Sequence, residues 1–385
     1  MMKISLKVSN HRIITLVMFI FCFILIFDPT DKMFHAKGLI FVFLVLLIPL
    51  GLKTFPYSKN VLFFFYFCMI MILYSFFAGI FSGLNVDYTF YFGFAKSFFV
   101  FFVLSFFSYR EFEKPFFISL VLLTFLSLLI YVLAIYDYRS IGKLITYLSY
   151  DVHNALIGRR AYGNWIIFMV YYKTVALLIL LIGYLLSKKS YTLSFLSIVV
   201  LFISGTRANM FAALSIPAFY FFLTGNKKMK IILGISFLCG IIMILPFISH
   251  VLLSPTGQSN SVKIGHFHSY MNFFGSSPQF FIFGSGAGTS FYSTGNHAFD
   301  LNTELVPFDL IMYVGIFFTL LFYVFLLLPL PRMMKMDKTI AFSYLMYLIV
   351  ATTNPLLISS TGFLAISFGY LYAYKNTKEN INATN

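Results

Sequence analysis

The residues best suited to chemistry in this 385-residue chain are cations set among long apolar runs. Lys96 and Lys173 each sit inside such a run. Arg207 opens another, directly after Ser204-Gly205-Thr206, and Arg159, Arg160 and Lys263 stand in the polar stretches between runs. Arginine grips phosphate oxygens through two parallel N–H bonds, while lysine meets them as a point charge. Close to Lys263 come His266, His268, His297 and Glu304, side chains able to exchange a proton. The excess of cations over carboxylates fits a polyanionic headgroup such as a lipid diphosphate.

Each of these positions also has a plain structural reading. A lysine at mid-bilayer costs about 2.5–3.5 kcal/mol, so Lys96 and Lys173 either have a partner or a function, or snorkel to the interface. Both lie roughly 12–14 Å from the outer end of their runs at 1.5 Å per residue, which is deep for a snorkel. Arg207 at a helix N terminus opposes the helix dipole; either a bound anion reconciles the two, or the side chain rests among lipid headgroups. Glu304 suits a helix N terminus as a dipole partner as well as it suits chemistry. His266 and His268, two apart, fall on different faces of a helix, which argues against a shared metal. No Asp-x-Asp pair occurs, and neither metal nor cofactor is expected.

The elements that must position these groups follow from composition. Hydrophobic residues make up 60% of the chain and charged residues 10%, too few charges to cover a water-facing surface. Backbone in lipid must bond internally, and long apolar runs without strict alternation select helices. The expected fold class is all-α, a polytopic integral membrane protein of about twelve transmembrane helices. The runs are 11–27, 36–52, 61–81, 89–107, 115–136, 164–186, 191–205, 207–224, 230–253, 303–330, 338–353 and 357–374. Residues 1–385 form one transmembrane domain, with outer loops at 137–163 and 254–302, the second between spans nine and ten.

Lys and Arg are denser in the segments reached by placing the N terminus in the cytoplasm, as in Lys227-Lys228-Met229-Lys230. Both termini are therefore expected inside, with the long loops outside. The net charge of +15 punctuates short loops rather than forming basic, aromatic-studded stretches, which speaks against nucleic acid. Cys22, Cys68 and Cys239 all lie in apolar runs, as small buried hydrophobes do. Residues 261–274 read as an amphipathic helix at the interface, and Gly284-Ser285-Gly286-Ala287-Gly288 as a backbone open to close approach by a ligand.

Several of these stretches together resemble the Wzy-type O-antigen polymerases and, more distantly, the O-antigen ligases. They are Ser-Gly-Thr-Arg at 204–207, Asn-Ser-Val-Lys-Ile-Gly-His at 260–266, Phe-Gly-Ser-Gly-Ala-Gly at 283–288, Phe-Tyr-Ser at 291–293, Thr-Glu-Leu at 303–305 and Tyr-Val-Gly-Ile at 313–316. Lys263 stands where that pattern usually has Arg. Asn296-His297 reverses the order seen in ligases. The resemblance implies a membrane glycosyltransferase of lipopolysaccharide biosynthesis in the bacterial inner membrane, working at its periplasmic face without a cofactor. It would move a growing glycan from undecaprenyl diphosphate onto another undecaprenyl-diphosphate-linked repeat unit, with membrane lipid around it and a chain-length regulator as a further partner. Arg207, Lys263, Lys173, Arg160, Arg159 and Lys96 are then candidates for holding the diphosphate, and Glu304, His266 and His297 for the general base. A ligase passing the glycan to lipid A-core, or a flippase for lipid-linked oligosaccharide, are the alternatives.

Overall fold

A computed structural model describes residues 2–51, 58–136, 139, 141–162, 165–228 and 258–375. Among the described residues the chain is mostly helical, in keeping with the all-α expectation, with two small antiparallel hairpins added. The helices are α1 (Met2–Phe27), α2 (Lys37–Gly51), α3 (Lys59–Phe81), α4 (Tyr88–Leu104), α5 (Tyr109–Tyr136), the short α6 (Gly142–Thr146), α7 (Leu178–Ser187), α8 (Tyr191–Ile203) and α9 (Arg207–Thr224). After the second long loop begins, α10 (Gln258–Ser276), α11 (Pro278–Phe283), α12 (Val306–Leu327), α13 (Leu330–Met336), α14 (Lys338–Thr352) and α15 (Ser360–Ala373) follow. The expected span over 230–253, with Cys239, lies outside the described residues.

Among the described residues, three runs are long and apolar enough to cross a membrane: Lys59–Phe81, Tyr109–Tyr136 and Val306–Met336, the last shared by α12 and α13. The other apolar helices, such as Lys37–Pro49 and Lys338–Thr352, are shorter. A 15-residue helix such as α14 rises about 22 Å, less than a hydrocarbon core of about 30 Å. Polar side chains close the helix ends: Asp87 accepts from the amides of Thr89 and Phe90 at 2.8 and 3.2 Å to start α4, and Asp337 does the same for α14.

The core is aromatic. Ring contacts tie its helices together. Phe64 of α3 lies flat on Tyr370 of α15, with centroids 4.9 Å apart, and Phe101 of α4 meets Tyr370 edge-on. Every residue of α15 after Ser360 is buried, so this short helix is the centre of the bundle. Cys22 and Cys68 are buried free thiols, as expected.

The expected span at 164–186 does not form as one helix. Residues Trp165–Tyr172 are a strand, β2, paired in register with β1 (Ala155–Tyr162), and helix begins only beyond it. The apolar run hides two elements, because strand and buried helix are both continuously apolar. Gly163-Asn164 between the strands, and the aromatic and β-branched content of Trp165-Ile166-Ile167-Phe168-Met169-Val170, carried the hairpin signal. The foot of the hairpin is pinned to the end of α1. Tyr172 donates its hydroxyl to the Phe27 carbonyl, and Thr174 donates to the Ile26 carbonyl at 2.8 Å.

The glycine run also departs from expectation. Gly284, Gly286 and Gly288 all adopt positive φ, and the loop packs on helices instead of facing a ligand. A Cβ on Gly286 would stand 2.3 Å from the Gly79 nitrogen of α3, while the Ala287 amide donates to Ser75 Oγ at 2.8 Å. Gly315 breaks α12 at φ 76°, and a Cβ there would meet the Ile282 carbonyl at 2.1 Å. These glycines let residues 284–288 seat against α3 and α12.

Candidate functional site

At the end of the bundle where α1 finishes and α9 starts, a cleft of about 620 Å³ opens. Its lining includes Lys173, Arg207, Lys263 and Glu304, together with Thr30, Tyr171, Thr206, Asn302, Thr353, Asn354 and Thr361. Six separate stretches of chain thus contribute. Cations meet one carboxylate amid a ring of hydroxyls and amides, the groups that recognise phosphate and sugar.

Arg207 is the first residue of α9, and Thr206 before it is the N-cap without a side-chain bond to the helix. Gly205, at φ 66°, makes the sharp reversal from α8 that the Ser-Gly-Thr sequence predicts. Thr206 Oγ1 is buried and has no hydrogen-bond partner among the described residues. The first turn of α9 holds no acidic residue. Uncapped amides, an idle hydroxyl and an exposed guanidinium therefore face the same cleft, an arrangement suited to an anion.

Lys173 is placed by the hairpin and not by a helix. It follows β2 directly, its amide bonded to the Asn154 carbonyl at 2.9 Å, so its depth in the sequence run says nothing of depth in a span. Burial, and secondarily the charge of Lys32, hold its ammonium below the usual lysine range. An anion in the cleft would relieve both effects. Tyr171, one residue earlier, has its hydroxyl pushed up to about 12 by burial and then by the charge of Glu304, which keeps it a neutral donor.

Lys263 projects from α10, whose range covers the helix expected at 261–274. Its Nζ lies 3.0 Å from Glu304 Oε2 and 3.4 Å from the Thr353 carbonyl. Both partners are part-exposed, so the pair contributes only about 0–1 kcal/mol by itself. Glu304 is set by its neighbour: the Thr303 amide donates to Asp309 Oδ1 at 2.9 Å, and Tyr270 of α10 donates to the same oxygen. The break between α14 and α15, marked in the sequence by Asn354-Pro355, brings Thr353, Asn354 and Thr361 to the cleft.

The remaining candidates stand elsewhere. His266 is buried on α10, its Nδ1 2.6 Å from Ser293 Oγ and 3.8 Å from Asp300 Oδ2, and it does not line the cleft. Burial, opposed by Asp300 and Glu304 and aided by Lys263, lowers its pKa below the usual histidine value. Its place is a brace between α10 and the hairpin of β3 (Phe291–Ser293) and β4 (Ala298–Asp300). His297 is exposed in the turn of that hairpin, at φ 52°. Arg159 is exposed on β1 opposite Phe168, away from the cleft lining. Lys96 is exposed on the outer side of α4, also outside it. The Arg160 backbone pairs with Ile167, but its side chain lies outside the described residues.

Sequence reasoning missed Thr30, Tyr171, Asn302, Thr353 and Thr361. Thr30 owes its place to a buried turn after α1, where Asp28 accepts from the amides of Met33 and Phe34 at 2.9 and 2.8 Å and from Asn154 Nδ2 at 3.1 Å. Thr30 Oγ1 donates to Asn154 Oδ1 at 2.7 Å, tying that turn to the residue just before β1. No local signal announces such a wall, because its partners are more than a hundred residues away. Against family models, curated proteins and solved structures, the chain matches nothing.

Proposed function

We propose that this chain is an O-antigen polymerase of the bacterial inner membrane, spanning it about twelve times with both termini in the cytoplasm and the cleft on the periplasmic side. The reading rests on one observation above all: Arg207, Lys263 and Lys173 share a cleft with Glu304. In this scheme the donor glycan enters as its undecaprenyl diphosphate, the phosphates held by Arg207, the first amides of α9, Lys173 and Lys263. The acceptor is a sugar hydroxyl of another lipid-linked repeat unit, bound among the cleft's hydroxyls and amides.

The acceptor oxygen attacks the anomeric carbon of the donor, and the bond from that carbon to the diphosphate oxygen breaks. The hydroxyl proton passes to Glu304, and undecaprenyl diphosphate departs with the bonding electrons. Fixed cations stabilise the charge that grows on the leaving group, a contribution of about 10²–10³ in rate for each such donor. Lys263 links the two halves of the step. Its ammonium touches the proposed base and lines the same cleft that the diphosphate would occupy.

The test is the lipopolysaccharide of a deletion strain, run on a gel and complemented with variants. Core carrying a single repeat unit is the expected phenotype. Bare core with glycan stranded on its carrier outside would instead mark a ligase, and bare core with the repeat trapped at the cytoplasmic face a flippase; either overturns the proposal.

A further inference from the structure

The far end of the bundle carries a second cluster of cations that the transfer scheme does not use. Arg12 of α1 and Arg110 and Lys114 of α5 line a furrow of about 680 Å³, with Glu113 as its one carboxylate. Thr15, Leu16, Phe19, Pro115 and Ile118 complete the lining. The cluster is remote from the cleft: α1 climbs from Arg12 to Phe27, about 22 Å, before the turn that bears Thr30.

A second furrow, of about 250 Å³, runs down the other side of α5 and shares Lys114 and Ile118 with the first. Apart from Lys114 and the tyrosine of α7 it is apolar, walled by Phe117, Val121, Leu122, Leu181 and Leu185. Leu16 is 60% exposed and Ile118 50%, so apolar surface faces outward next to the charges. Cations at the mouth and two apolar channels leading from it match a molecule with an anionic head and more than one chain. A soluble anion would have no use for the channels, and a neutral lipid none for the three cations.

We infer that Arg12, Arg110 and Lys114 form a binding site for an anionic phospholipid, its phosphate between α1 and α5 and its acyl chains in the furrows on the two sides of α5. The inference needs only a membrane around the bundle and is independent of the transfer chemistry. Charge does the selecting, since each basic side chain at a lipid surface adds about 1 kcal/mol of attraction for an anionic headgroup.

Native mass spectrometry of the detergent-purified full chain tests this, after lipid is stripped and phosphatidylglycerol or phosphatidylcholine of equal chain length is titrated back. The wild type is expected to retain phosphatidylglycerol at concentrations at least about tenfold lower than phosphatidylcholine. The R12Q/R110Q/K114Q variant loses that preference while phosphatidylcholine binding stays the same, and R12K/R110K keeps it. Should the triple variant fail to run as a single species on size exclusion, K114Q alone is measured, with a smaller loss in the same direction. Equal retention of the two lipids by the wild type, or undiminished phosphatidylglycerol binding in the glutamine variants, overturns the site. So does displacement of the lipid by inorganic phosphate alone at matched concentration, which would reveal a bare anion site.

Discussion

Lys263 Nζ and Glu304 Oε2 lie 3.0 Å apart at the cleft, joining α10 to the residues that lead into α12. A part-exposed pair of this kind stabilises the fold little, so its removal should be read in activity and not in abundance. Glu304→Gln keeps the shape and loses the base. The expected result is long-chain synthesis lowered by about 10²–10⁴-fold with normal protein in the membrane, measured by gel ladders against an immunoblot. Lys263→Arg should retain most of the ladder and Lys263→Ala little of it.

Arg207 stands where α9 offers uncapped amides and Thr206 offers a hydroxyl without a partner among the described residues. Arg207→Ala is expected to cut transfer by about 10²–10³-fold. Arg207→Lys should recover part of it, since charge survives while the bidentate fork does not. A normal ladder from Arg207→Ala, with the protein present, removes this residue from the scheme.

The histidines give the opposite expectation. His297 is exposed in a hairpin turn, so His297→Ala should leave the chain-length pattern unchanged. His266 braces Ser293 from a buried position, so His266→Ala should lower the amount of folded protein in step with any loss of product. A loss of product per molecule after either change would reinstate a histidine as the base.

The loop glycines predict a stability effect without a chemical one. Gly286→Ala places a Cβ 2.3 Å from the Gly79 nitrogen at a φ of 91° and should cost about 1–3 kcal/mol. Gly93→Ala on α4, where nothing lies within 4 Å, is the matched control and should be neutral or better. Thermal unfolding in detergent measures both.

Asp28 links stability to acid. Burial pushes its carboxyl up, but the bonds from Phe34, Asn154 and Met33 and the charge of Lys37 outweigh this and hold it below the usual aspartate value. An unfolded aspartate titrates near about 3.9, so the contribution is whole above roughly pH 4 and is lost as pH falls through the lower folded value. Asp28→Asn should therefore be less stable at pH 7 by about 1–3 kcal/mol and should lose less than the wild type between pH 4 and pH 3.

Much of this molecule is local and was legible in its residues. Three apolar runs of membrane length among the described residues, the tight reversal at Ser204-Gly205-Thr206 and the helix over 261–274 follow from hydrophobicity, a glycine and periodicity, each set by neighbours in the chain. The cation-rich character of the chain was equally open to reading. What tertiary structure alone decided is which charges meet. Lys173 reaches the cleft because residues 165–172 pair as a strand, a choice that continuous hydrophobicity leaves undetermined. Thr30, Arg207, Glu304 and Thr361 share one cleft because helices pack side by side, and such contacts leave no period in the sequence. The same packing turned the glycine run from an apparent ligand loop into the seam that holds residues 284–288 against α3.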